Sequence, residues 1–110
     1  MVKARKKAVP TNCEVSADDL QRLGALHNLL SALNDPLASR RKLQMLTSVS
    51  PVLTARVVRH AQARSSSIET LEAALTLIGN RGLETVLLQF LEDLTVYKGE
   101  LEAQATKSSG

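Results

Sequence analysis

From Ser16 to Leu94 apolar residues recur every three or four positions, in stretches bounded by residues that start or stop helices. Leu20, Leu23, Leu26, Leu30 and Leu33 form the first stripe. Ser16 opens it, Asp18 and Asp19 suit the positive end of its dipole, and Asn34-Asp35-Pro36 closes it. The spacing predicts one core helix, with Gly24 costing about 1 kcal/mol relative to Ala and admitting a close neighbour. A shorter helix follows from about Ser39 to Thr47, with Leu43, Met45 and Leu46 inward and Arg40, Arg41 and Lys42 outward. After Ser48-Val49-Ser50, Ser50 caps a third helix whose first turn takes Pro51, and Leu53, Val57 and Ala61 line one side. Ser65-Ser66-Ser67 reads as a polar connection, and Ser66 with Glu69 has capping-box spacing for a fourth helix through Ile68, Leu71, Leu75 and Ile78. Gly79 ends that helix, Asn80-Arg81-Gly82 reads as a tight turn, and Leu83, Val86, Leu87, Phe90, Leu91 and Leu94 define the longest helix.

Five such stretches, with no alternating strand pattern, predict an all-α fold: a compact five-helix bundle with the Ser50 and Leu83 helices at its centre. The chain of 110 residues is long enough for one domain. Residues 1–14 read as a disordered basic tail, 15–98 as the folded domain, and 99–110 as a frayed tail.

Charge separates the two halves of this bundle. No Asp or Glu occurs from Pro36 to Ile68, where Arg40, Arg41, Lys42, Arg56, Arg59 and Arg64 lie, and Lys3, Arg5, Lys6 and Lys7 add a basic leading segment. From Glu69 to Ala105 the acids Glu69, Glu72, Glu84, Glu92, Asp93, Glu100 and Glu102 face only Arg81 and Lys98. A net charge of +3 therefore hides a positive end and a negative end, which favours an anionic partner or self-association.

Composition excludes several function classes. Aromatic residues make up 2 %, only Phe90 and Tyr97, too few for a base-stacking platform. The lone Cys13 forms no disulfide framework, no apolar run approaches the about 20 residues of a membrane span, and the expected location is cytoplasmic. His27 precedes Asn28 and His60 precedes Ala61, so no His-Asp doublet is present, and no second Cys completes a zinc site. These absences point to a protein that is not an enzyme and has no catalytic residue, cofactor or metal. Both histidines lie at the edges of apolar stripes and are expected to be partly buried.

Three segments, ALNDPLASRRKLQML, SPVLTARVVRHAQA and SIETLEAALTLIGNRGLETVLLQFL, taken in order over about residues 20–95, resemble the HDOD domain. The pattern lies in the Ser50-Pro51 helix start, Leu53-Thr54-Ala55-Arg56, Ile68, Leu71, Ala74, the Leu77-Ile78-Gly79 ending and Leu83. HDOD domains are helical relatives of the HD-type phosphohydrolases without their metal-binding His and Asp. The resemblance implies a non-catalytic bacterial regulatory or signalling module acting by protein contact, and it covers the N-terminal helical half of that domain. Residues 43–60 also look like a helix-turn-helix, with Val49-Ser50 at the turn and Arg56-Val57-Val58 in the recognition helix.

The expected partner is thus a protein, acidic or a further copy of this chain. Arg40, Arg41, Lys42, Arg56, Arg59 and Arg64 are the charged contact residues, and Phe90, Leu91 and Leu94 the apolar ones. The alternative is a DNA-binding regulator using residues 39–64, with Lys3 to Lys7 as an arm.

Overall fold

The computed structural model describes residues 14–109. They form α1 (Ala17–Gln21), α2 (Leu23–Leu33), α3 (Arg40–Thr47), α4 (Pro51–Gln62) and α5 (Leu71–Ser109), and no strand occurs among them. The fold is an all-α five-helix bundle. The basic leading segment lies outside the described residues, apart from the exposed Glu14.

Several helix boundaries differ from the sequence expectation, each for a local reason. The first stripe is divided at Arg22, whose φ of −97° and ψ of 9° interrupt the helix while its N–H donates to the Asp19 carbonyl at 3.1 Å. The fourth stretch starts at Leu71, not beside Ser66. Ile68 N–H donates to Ser65 O at 3.2 Å and Gln62 Nε2 donates to Ile68 O at 2.8 Å, holding a loop that ends at Thr70. Thr70 Oγ1 then accepts from Ala73 N at 3.1 Å and caps the helix.

No turn forms at residues 80–82. Gly79 alone makes the break, at φ 70° and ψ −175°, a combination that is essentially restricted to glycine. It divides α5 into a first arm, residues 71–78, and a second arm, residues 80–109. A Cβ on Gly82 would lie 2.5 Å from Ile78 Cβ, so the two arms approach closely there. At Gly24 an added Cβ would meet nothing within 4 Å, and the expected close neighbour is absent. The tail expected to fray from residue 99 continues as helix to Ser109, because Glu, Leu, Ala, Gln and Lys dominate that sequence and all favour helix. At about 1.5 Å per residue the second arm is about 45 Å long, close to the 49 Å longest extent of the molecule.

One core joins the elements. Leu26 and Leu29 of α2, Leu43 of α3, Leu53 and Val57 of α4, and Leu83, Leu87, Phe90 and Leu94 of α5 belong to a single buried cluster. α4 packs chiefly on α5 and buries Val52, Leu53, Ala55, Val57, Val58 and Ala61, residues distributed around most of its circumference. It is the central rod, as its stripe predicts.

A buried polar group fixes where α4 begins. Asp19 and Ser50 are both 0 % exposed, and Ser50 Oγ donates to Asp19 Oδ1 at 2.7 Å while accepting from Leu53 N at 3.1 Å. Asp19 Oδ2 also accepts from Ser16 N at 3.0 Å and Ser16 Oγ at 3.1 Å. Arg22 Nη1 lies 3.5 Å from Asp19 Oδ1. The carboxylate therefore closes the start of α1 and, through Ser50, the start of α4, where a negative charge is favoured by both helix ends.

Candidate interaction surface

The six cations expected to meet a partner fall into two groups. Arg40 Nη1 donates to the Leu75 carbonyl at 3.2 Å. That carbonyl is in the last turn before Gly79, where the helical acceptors lose their partners, so Arg40 caps the first arm of α5 from α3. Arg56 Nη1 donates to Asp93 Oδ2 at 2.7 Å, and its guanidinium lies 5.1 Å from the centroid of the Phe90 ring. Gln89 Nε2 donates to the other oxygen of Asp93 at 3.1 Å. Arg56 thus ties α4 to the second arm through charge and a cation–π contact. These two arginines hold helices together. Arg41, Lys42, Arg59 and Arg64 are exposed.

Two of the three apolar contact residues are shut into the core. Phe90 is 0 % and Leu94 1 % exposed, and Leu91 is half-buried against the core. Phe90 and Leu94 are sealed in the shared core and Leu91 packs against it, so they do not form the expected open strip. The apolar surface lies elsewhere, chiefly at Leu37 (90 % exposed), Met45 (63 %), Val96 (57 %) and Leu88 (48 %).

Met45 corrects an inward expectation with a simple cause. Two residues along a helix turn a side chain by about 200°, so Met45 cannot share a face with Leu43, which is 3 % exposed. Leu43 and Thr47, four apart, face the core instead. On the outer face of α3, Met45 lies beside Arg41 and Lys42, and the exposed Val49 follows in the turn after the helix. Beside this face, Lys42 and Leu46 line an open cleft of about 280 Å³ together with Asp35, Asn28 and Ser31.

On the second arm of α5, Leu88, Glu92, Val96 and Glu100 follow one another at four-residue intervals, and all four are exposed. From Lys98 to Gln104 every residue is exposed. The arm leaves the core after Leu94.

His27 and His60 are both exposed, not partly buried, and occupy different helices. Among the described residues no group of three potential ligands could hold a metal ion. The Ser50 hydroxyl is committed to Asp19 and shut away from solvent. Among the described residues no helix is long and apolar enough to cross a membrane.

The helix-turn-helix reading needs α4 to present its first turns. There Val52, Leu53 and Ala55 are buried and Arg56 is engaged by Asp93, leaving Pro51 and the half-buried Thr54 outward. No family model matches this chain, nor does any curated protein or solved structure.

Proposed function

We propose that this chain is a non-enzymatic interaction module of HDOD-like type, a bacterial regulatory or signalling part that works by binding another protein through the outer face of α3. The observation that carries this reading is Met45, 63 % exposed, beside Arg41 and Lys42 on a helix whose opposite side is sealed into the core, with the exposed Val49 just past the helix end. Apolar side chains held in water next to cations are the ingredients of a contact surface with an apolar centre and a charged margin. The burial of the first turns of α4 supports protein contact over base readout, which needs accessible polar side chains at that position.

The test is a photo-cross-linking residue at Met45, in cells, in the native background and in Arg41→Glu with Lys42→Glu. Both side chains are exposed, so the double variant is expected to keep its far-UV circular dichroism and lose a discrete protein adduct seen in the native background. Adducts that persist unchanged would overturn the reading. So would site-specific DNA retention that survives about 150 mM salt, since generic phosphate attraction is lost by then.

A further inference from the structure

Two exposed stripes of this molecule have matching spacing and opposite charge. On α3, Arg41 and Met45 are four residues apart with Lys42 beside them, and the exposed Val49 follows in the turn after the helix; on the second arm of α5 the series is Leu88, Glu92, Val96, Glu100. Among the described residues Arg41, Lys42, Glu92 and Glu100 have no ion-pair partner within the chain. From the rise of an α-helix, Arg41 and Met45 are about 6 Å apart along α3, and the arm stripe is about 18 Å long.

We infer that the protein bound by α3 is a second copy of this chain, paired so that α3 of each copy lies along the second arm of α5 of the other. The inference rests on the interaction reading above and names its partner. In that contact Met45 meets Val96, and Arg41 with Lys42 meets Glu92 or Glu100, because Arg41 is four positions from Met45 and an acid lies four positions to either side of Val96. A twofold pair requires each copy to offer both halves of the contact, and this chain carries both. Burial of the apolar residues supplies the attraction, and the opposite charges on the two stripes select one for the other. Leu88, Glu92, Val96 and Glu100 are all exposed, so the acidic stripe is accessible along its length.

Sedimentation equilibrium of the native chain is expected to show a monomer–dimer equilibrium, weakened by added salt. Arg41→Glu with Lys42→Glu, and separately Glu92→Lys with Glu100→Lys, each set like charges face to face and should raise the dissociation constant about tenfold or more. An equimolar mixture of the two variants restores opposite charges at both contacts, one native and one reversed, and should recover the dimer as a mixed pair. A native chain that stays monomeric, or a mixture that associates no better than either variant alone, overturns the inference. The Met45 adduct separates the two claims. An adduct of twice the chain mass supports the pair, an adduct of another mass sinks it while leaving the interaction reading intact, and no adduct sinks both.

Discussion

α4 and the outer half of α5 are both regular helix, yet almost everything about their surroundings differs. α4 has 12 residues, six of them buried around most of its circumference, whereas beyond Leu94 no described side chain of α5 is fully buried. α4 carries β-branched Val52, Thr54, Val57 and Val58, which favour helix weakly, so tertiary packing must supply its stability. The outer arm has the opposite makeup, good helix formers such as Glu100, Leu101, Glu102 and Ala103 with little to pack on. Helix in one place is a consequence of the core; in the other it is a property of the local sequence.

The difference can be broken most violently at the centre. Leu53 is 0 % exposed, and Leu53→Ala should cost about 2–5 kcal/mol, lowering the Tm by about 10 °C or more. In contrast, Leu101→Ala on the arm should stay within about 0.5 kcal/mol in dilute solution. A thermal scan of both variants checks the contrast, and equal losses would mean that the arm has packing of its own.

A smaller effect is expected where α4 is anchored. Asp19→Ala strands the Ser50 hydroxyl and Ser16 N–H and should cost about 1–3 kcal/mol in urea unfolding. Amide exchange at Leu53, whose N–H donates to Ser50 Oγ, should accelerate with it, and Asp19→Asn should recover part of the loss by keeping one acceptor. Unchanged exchange at Leu53 would show that Ser50 caps α4 without help.

The smallest change sharpens the other side. A Cβ on Gly99 would meet nothing within 4 Å, so Gly99→Ala should favour the arm's helix by about 0.5–1 kcal/mol. The helical circular dichroism should rise with the urea midpoint unmoved in dilute solution. A midpoint that climbs as well would couple the arm to the global transition.

The candidate surface shows where sequence reading succeeds and where it stops. Arg40, Arg41, Lys42 and Arg56 share one acid-free stretch and look alike there. Only the folded chain separates them. Asp93 is 37 residues from Arg56 along the chain, and Leu75 is 35 from Arg40. Met45 was within reach of sequence reasoning, because the Leu43 and Thr47 spacing already turns it outward. The apolar residues of the last helix share one stripe, but a stripe does not say whether neighbours cover it, and the core buries Phe90 and Leu94.

By itself the sequence determined the all-helical class, the order of the stripes, the Ser50–Pro51 start of α4 and the stop at Gly79, since each depends on side-chain periodicity or backbone chemistry within a few residues. The tertiary structure decided which charges face solvent, that Asp19 rather than a surface group closes the start of α4, and that the outer arm leaves the core after Leu94. Those outcomes depend on contacts between residues distant in sequence, and local spacing carries no record of them.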